Sequence, residues 1–391
     1  MMVEADTEWS FNDSDELEAL EQPYFRVDRA WLIRALTRAF FEARKGKLKT
    51  ADENAFEVRY IENIELLADD IMYRRYKPSR GIAFIVTRPV VREIFAAPFR
   101  DRVVHHFLHN MCANWWDKRF IYNSSSCRKG KGTHFGIDRL EHDIRSVSNN
   151  YRKETYIIKM DIQGYFMSLP RERLYCIICW GLKRQFPKRG VHYRLLKYLW
   201  REIIMDDPVK GVKIRPPVRL WDLLPDSKSL FYQPKGKGIV IGNLSSQLLS
   251  NIYLSQLDRF VTMDLGYKHY GRYVDDFYLV VPAEKKDIAL NDVKVIERYL
   301  QNIGLKMHPK KTHVQEVKKG VPFLGAVVYP FFRVPGRRFK DNFYQAARKF
   351  ESGVSGSTES IASYLGYCSK LRGEKLCQKV FESVGWDYPK Q

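Results

Sequence analysis

Two short apolar runs that end in aspartate, far apart along the chain, constrain the fold more than any other feature. The first, Glu154-Thr-Tyr-Ile-Ile-Lys-Met-Asp161, reads as a buried strand with its carboxylate at the end. The second, Tyr270-Gly-Arg-Tyr-Val-Asp-Asp-Phe-Tyr-Leu-Val-Val281, reads as a hairpin with two adjacent acids, Asp275 and Asp276, at a tight turn. Carboxylates that converge from separate strands can hold two hard cations. Two-metal phosphoryl transfer needs that arrangement, with ions roughly 3.5–4 Å apart. On chemistry alone a polymerase and a nuclease both fit.

Charge narrows the partner. The 391 residues carry 66 Lys and Arg against 46 Asp and Glu, a formal charge of +20, and 14% are aromatic. Eight of the acids lie in the first 22 residues, which hold no base, so the rest of the chain sets 66 bases against 38 acids. A chain this basic points to a polyphosphate partner, which releases counterions on binding. No apolar stretch reaches the ~18 residues of a membrane helix, and the acidic start lacks the basic and apolar regions of a secretory signal, so no membrane partner and a cytoplasmic location are expected. Six cysteines are few and are expected reduced. Cys176 and Cys179 have zinc-like spacing, but no further ligand pair lies in range, so they read as a buried helical pair.

Periodicity predicts an α/β (α+β) chain. Residues 1–22 read as a poorly ordered acidic leader, 28–45 and 54–76 as helices, 81–86 as β-rich, 94–118 and 170–205 as helical. The five prolines of 206–234 mark a long loop or insertion whose Lys210, Lys213, Arg215 and Arg219 are candidates to touch RNA or a partner. A helix at 244–264, the hairpin, a helix at 286–303, a strand pair at 313–329 and a helical segment at 359–383 complete the reading.

The motifs stand in a recognisable order. Arg88-Pro-Val-Val-Arg-Glu-Ile-Phe-Ala-Ala-Pro-Phe-Arg-Asp-Arg-Val-Val-His-His106 and Tyr122-Asn-Ser-Ser-Ser-Cys-Arg-Lys-Gly-Lys-Gly-Thr133 come first. Met160-Asp-Ile-Gln-Gly-Tyr-Phe166 and Gly238-Ile-Val-Ile-Gly-Asn-Leu-Ser-Ser-Gln-Leu-Leu-Ser-Asn-Ile-Tyr253 follow. Tyr273-Val-Asp-Asp276, His308-Pro-Lys-Lys-Thr312 and Val321-Pro-Phe-Leu-Gly325 close the series. Together they resemble the motifs of reverse transcriptases over roughly residues 80–330. Ile241-Gly242 followed by Ser246-Gln247, where most of the family has Gln-Gly and Ser-Pro, resembles the enzymes of diversity-generating retroelements. The Leu-Pro-Asp-Ser-Lys-Ser-Leu stretch at 224–230 and Ser363-Tyr-Leu-Gly366 support that branch.

The resemblance implies a right-hand polymerase fold: N-terminal helices and fingers over 23–160, a palm with a small antiparallel sheet over 161–340, and a short helical thumb over 341–391. It implies RNA-templated DNA synthesis from dNTPs with two Mg2+ ions, or Mn2+, by a bacterial or phage-encoded enzyme. The template would be a template-repeat RNA, the product a cDNA mutated mainly at adenines, and the partner a small basic accessory variability protein. Metal ligands would be Asp161, Asp275 and Asp276 with the Ile162 carbonyl, and Lys311, or Lys310, would be a general acid toward pyrophosphate. Arg128 or Lys129, Phe166 as a block to the 2′-hydroxyl, Ile241, Gly242 and Gln247 would meet the nucleotide. Arg88 and Arg92, with Arg100 and Arg102 behind them, would offer one basic helix face to template phosphates, and Phe323-Leu324-Gly325 a primer-grip turn. A glutamine amide at position 241 can hydrogen-bond near the nascent pair, whereas isoleucine offers shape alone, so weaker discrimination is expected. A defence-associated or retron-like reverse transcriptase is the alternative within the family, although Ala-Val-Val after Gly325 departs from the retron pattern. From a different class, a catalytically silent RNA-binding subunit would keep the charge without needing the acids.

Overall fold

The computed structural model describes residues 23–46, 50–87, 90–187, 190–354 and 356–388; the expected acidic leader lies outside them. Its elements run α1 (Arg29–Arg44), α2 (Ala51–Val58), α3 (Tyr60–Met72), β1 (Ile82–Val86), β2 (Arg92–Ala96), α4 (Phe99–Asp117), α5 (Thr133–Val147), β3 (Thr155–Asp161), α6 (Tyr165–Ser168), α7 (Arg171–Gln185) and α8 (Val191–Met205). Then follow β4 (Lys213–Ile214), α9 (Leu244–Arg259), β5 (Tyr270–Tyr273), β6 (Asp276–Pro282), α10 (Lys286–Asn302), β7 (His313–Glu316), β8 (Val321–Phe323), β9 (Ala326–Tyr329), β10 (Phe332–Pro335), α11 (Arg337–Glu351), α12 (Ser357–Cys368) and α13 (Glu374–Glu382).

Strand alternation organises the palm. A four-stranded antiparallel sheet has the order β5-β6-β3-β7. Because side chains alternate between faces, Ile158, Met160, Phe277, Leu279 and Val281 enter a large core shared with α1, α3, α4, α7, α8, α9 and α10. Ile157, Tyr278 and Val280 enter a second core with α5 and the sheet β10-β9-β8. The sheet is apolar on both faces because it separates two cores. α9 lies deep in the first core, and its sequence shows it: Ser245, Ser246, Ser250 and Asn251 are small or satisfiable polar groups among leucines, all buried.

Several boundaries differ from expectation. Residues 92–96 are a strand, not the start of a helix, because the chain turns at Pro98 and α4 begins after it. The helices expected over 54–76 and 170–205 are each two, interrupted at Arg59 and after Gln185. His313–Glu316 joins the palm sheet, whereas the segment after it forms the separate sheet β10-β9-β8. β3 runs to Asp161, so the expected fingers–palm boundary at 160/161 cuts a strand. Cys176 is exposed and Cys179 half-buried, so they are not a buried pair.

The proline-rich 206–234 stretch is ordered. β4 extends the β1–β2 hairpin by parallel pairing, with Lys213 N donating to Gly81 O at 3.0 Å and Arg215 N to Ala83 O at 2.9 Å. The buried Glu93 carboxylate on β2 accepts from Trp221 Nε1 at 2.9 Å, Ser229 Oγ at 2.8 Å and Leu230 N at 2.7 Å. One acid with three donors therefore clasps the insertion to the fingers. The helices α11, α12 and α13 close the chain over their own core of Phe343, Ala346, Ala347, Ile361 and Val380. Among the described residues no helix is long and apolar enough to cross a membrane.

Candidate active site

The register of the palm sheet brings the acids together. Asp161 pairs directly with Asp276 across β3 and β6, and Tyr273 pairs with Asp276 across the hairpin, leaving Val274 and Asp275 as a two-residue turn. Val274 has φ 56°. Two-residue hairpins favour Gly, Asn or Asp at positive φ, and a β-branched residue there is strained by about 1–3 kcal/mol. Surrounding bonds hold it. Val274 N donates to Ser126 Oγ at 3.1 Å, and Val274 O accepts from Arg272 Nη1 at 3.0 Å.

Arg272 is the fixed point of this arrangement. Its side chain is fully buried and meets Asp258 of α9 in a fork, Nε to Oδ1 and Nη2 to Oδ2, both at 2.7 Å. Further bonds run to Asn251 Oδ1 at 3.3 Å and Ser124 Oγ at 3.2 Å. Burial works against the charge, but the field and bonds of Asp258 outweigh it and raise the arginine's pKa. The Ser124-Ser-Ser126 run lies alongside β5: Ser125 N donates to Arg272 O at 2.9 Å, and Arg272 N to Asn123 O at 3.1 Å. Arg272, Asp258 and Asn251 were not singled out from sequence, since a charge in a hairpin reads as solvated until its partner is seen.

The carboxylates repel one another. Burial first, then the charge of Asp161, raises Asp275; burial, Asp275 and Asp161 push Asp276 up to about 7, and its carboxyl hydrogen-bonds Asp161. Lys311 Nζ lies 2.9 Å from Asp161 Oδ2. It is thus the counter-charge in contact with Asp161, while Lys159 acts on Asp276 and Arg92 on Asp275 from further off, and service as an acid toward pyrophosphate would require Lys311 to leave Asp161. Lys310 bonds through its backbone N to His308 Nδ1 at 3.2 Å. Ile162 bridges Met307 through bonds from His308 N to Asp161 O and from Gln163 N to Lys306 O. The bridge itself leaves the Ile162 carbonyl unused.

Among the described residues no group of three or more His, Cys, Asp or Glu side chains is set around a common metal position. The donor set nevertheless suits a hard divalent ion: three carboxylates, two of them raised in pKa by burial and then by mutual repulsion, a repulsion an ion relieves. Such an ion would take over the role Lys311 fills at Asp161.

An apolar wall is built from four segments, the β1–β2 hairpin, α6, the insertion and the stretch before α9. Phe166 and Ile241 both pack against Ala83, Phe95, Met167 and Leu230. Tyr165 takes the core position instead, buried with its hydroxyl donating to Ser250 O at 2.7 Å. Ile241 O accepts from Phe95 N at 2.9 Å, and at Gly242, φ 132°, a Cβ would come within 2.6 Å of Phe95 O. Only glycine fits that approach. Gly164, φ 55°, lies equally close to the insertion, where a Cβ would meet Ser227 O at 2.8 Å. Gln247 is exposed at the start of α9.

The basic residues separate. Arg88 lies outside the described residues. Arg92 is exposed on β2, and its charge is felt at Asp275. Arg100 is instead paired with Asp70 at 2.8 Å, and Arg102 Nε bonds Ala97 O at 2.9 Å. No common helix face exists, because Arg92 is on a strand. Arg128 is bound by Asp117 Oδ1 at 2.6 Å and by the carbonyls of Ile121, Ser124 and Asp117, which commits its guanidinium to the loop's own structure. Lys129 is exposed. Phe323 is buried against Tyr278, while Leu324 and Gly325 turn at φ 49° and 90°. Tyr367 Oη of α12 donates to Leu324 O at 2.7 Å, tying the turn to the C-terminal helices.

Comparison with known proteins bears on the whole arrangement. Protein YkfC of Escherichia coli is 20% identical over 352 residues, 78% of this chain and 84% of that protein. The putative COX1/OXI3 intron 2 protein of Saccharomyces cerevisiae is 22% identical over 385 residues, 86% of this chain but 43% of that one. Two solved telomerase structures from Candida tropicalis align with TM-scores of 0.48 and 0.47 at 14% and 12% identity, over 66% and 79% of this chain and 56% and 54% of theirs. The chain therefore spans about half the length of three of these four proteins. The family described as reverse transcriptase (RNA-dependent DNA polymerase) matches residues 91–328, from the fingers hairpin to the strand after the Leu324 turn. That match takes in more than half of the sequence and every carboxylate of the site, and the chain belongs to the reverse transcriptases, the RNA-directed DNA polymerases.

Proposed function

We propose that this reverse transcriptase serves a diversity-generating retroelement, copying a template-repeat RNA into cDNA mutated mainly at adenines, with a small basic accessory protein as partner. The observation that carries the branch is the side chain at 241. Ile241 belongs to the same apolar wall as Phe166, so the nascent pair would meet shape without a polar contact. Phe166, half-buried on that wall, would exclude a ribose 2′-hydroxyl.

For the chemistry, a primer 3′-hydroxyl attacks the α-phosphate of a dNTP and pyrophosphate leaves. Asp161, Asp275 and Asp276 would hold Mg2+, which when bound supplies the charge that activates the hydroxyl and stabilises the leaving oxygen. Arg272 fixes the turn that carries Asp275. Arg92, near Asp275, would neutralise phosphate charge as the nucleotide enters.

Extension of a DNA primer on an adenine-containing RNA with Mg2+, followed by cDNA sequencing, tests the reading. Extension that is lost in Asp275→Asn, with errors concentrated opposite adenine and reduced by Ile241→Gln, supports it. Faithful extension would keep the polymerase and remove the retroelement branch. Strand shortening in place of extension would indicate a nuclease.

A further inference from the structure

The C-terminal end of α4 and the α7–α8 hairpin carry a surface that the polymerase site leaves unused. Trp115 of α4 and Trp180 of α7 lie with ring centroids 6.4 Å apart. Each is covered by an arginine four residues on, Arg119 just past the end of α4 and Arg184 within α7: the Arg119 guanidinium is 3.4 Å from the Trp115 centroid, and that of Arg184 3.9 Å from Trp180. Backbone bonds hold both, Arg119 Nη1 to Trp115 O at 2.8 Å and Arg184 Nη1 to Trp180 O at 3.5 Å. Gln185 Nε2 donates to Met111 O at 2.5 Å and locks the two helices together.

The charge around these stacks is mainly positive, since the acid beside them, Asp117, is held by Arg128 at 2.6 Å. Lys118, Arg119, Lys183 and Arg184 are exposed. α8 adds Lys197 and Arg201, whose charges are felt at Cys179 and Tyr175 of α7. The single acid of α7, Glu172, sits at its far end, and the single acid of α8, Glu202, is paired with Lys77 at 2.9 Å. A guanidinium stacked on indole is pre-oriented, so its N–H edge can meet a phosphate in a fork at little entropic cost, and neighbouring aromatic rims can receive an unstacked base.

We propose that this Arg–Trp face binds RNA outside the catalytic groove, as a second anchor for the RNA whose template segment is copied. The inference rests on the RNA-templated reading above. A polyanion is the occupant the charge selects; the small basic protein proposed as partner would be repelled here. The face would favour single-stranded or looped RNA, which offers both phosphates and free bases.

The test uses the full chain with two probes: a long structured RNA annealed to a DNA primer, and a minimal primer–template sharing the same primed sequence. The Lys118→Ser, Arg119→Ser, Arg184→Ser triple variant is expected to bind the long RNA about tenfold or more weakly, with the slope of log affinity against log salt reduced by about two to three units. Its kcat and KM on the minimal duplex stay at wild-type values. Arg119→Lys with Arg184→Lys, which keeps charge but loses the planar stack, is expected to weaken long-RNA binding with the salt slope preserved. Unchanged long-RNA affinity and slope in the triple variant would overturn the proposal. So would an equal loss on both probes, or loss of a copurifying protein with RNA binding intact. Failure of wild type to extend the minimal duplex would strike the polymerase reading instead.

Discussion

Removing Arg272 should separate stability from chemistry in a way that a merely structural ion pair would not. Arg272→Met leaves Asp258 buried with the Tyr270 hydroxyl, at 2.7 Å, as its remaining partner. Asp258→Leu leaves a buried guanidinium without its counter-ion. Each single change is expected to cost about 3–5 kcal/mol, the penalty of an uncompensated buried charge. The double variant removes both charges and leaves the Tyr270 hydroxyl unpaired, about 1–3 kcal/mol. Denaturant unfolding should therefore show a coupling of at least about 3 kcal/mol between the sites. Primer extension should not recover with stability. Val274 O loses its donor, the strain of about 1–3 kcal/mol at φ 56° is free to relax, and the productive turn becomes a minority conformer. At 1.36 kcal/mol per decade, kcat in the double variant falls about ten- to a hundredfold. Wild-type extension rates in the refolded double variant would refute the argument, as would single variants that lose less than about 1 kcal/mol.

Other expectations come from the same geometry. Asp276 and Asp275 have raised pKa values when folded, so the folded chain binds more protons than the unfolded one between roughly pH 4 and 7, and stability falls as pH rises through that window. Thermal melts without divalent ion should show this fall in wild type but less of it in Asp276→Asn, and Mg2+ binding near neutrality should release protons measurable by calorimetry in buffers of different ionisation enthalpy. Gly242→Ala places a Cβ against Phe95 O and should push the fingers hairpin off α9's leading segment, lowering kcat/KM at least tenfold while far-UV circular dichroism stays native. Glu93→Gln replaces a carboxylate that accepts three bonds by an amide with one acceptor oxygen, at a cost of about 1.5–3 kcal/mol. Protease cleavage within 206–234 should then rise, and nucleotide misincorporation should change before kcat does.

The sequence makes the convergence of Asp161, Asp275 and Asp276 legible, because strand-terminal acids carry their register with them; Lys311 entered only through the family resemblance, as an acid toward pyrophosphate, and its contact with Asp161 was not foreseen. Phe166 and Ile241 were legible as candidates, though not as neighbours on one wall. Buried charges were not legible. Arg272 and Arg128 look like solvated or nucleotide-binding cations until their acceptors appear, Asp258 on a helix for one and loop carbonyls with Asp117 for the other. Period two in Arg92-Glu-Ile-Phe-Ala96 was present, but the helical spacing that starts at Phe99 overran it; Pro98 was the signal for the break. Proline density made 206–234 resemble a loose loop, whereas one buried acid from β2 orders its far end.

Catalysis and selection are consequently held by different parts of the fold. The turn that carries Asp275 is fixed from the α9 side by a fully buried arginine whose planar fork leaves no rotational freedom. The wall formed by Phe166 and Ile241 is backed by Leu230, Phe231 and Trp221 of the insertion, an apolar contact that the Glu93 clasp sets from a distance. A hydrogen-bonded turn tolerates little displacement, whereas an apolar wall can shift by fractions of an ångström while the carboxylates stay in register. Substitutions that reach Asp275 through Arg272 should therefore lower the rate for every nucleotide alike. Substitutions that reach Ile241 through Glu93 or Leu230 should redistribute errors among nucleotides at nearly constant rate, so that the ratio of misincorporation to turnover, measured across both sets, distinguishes the two supports.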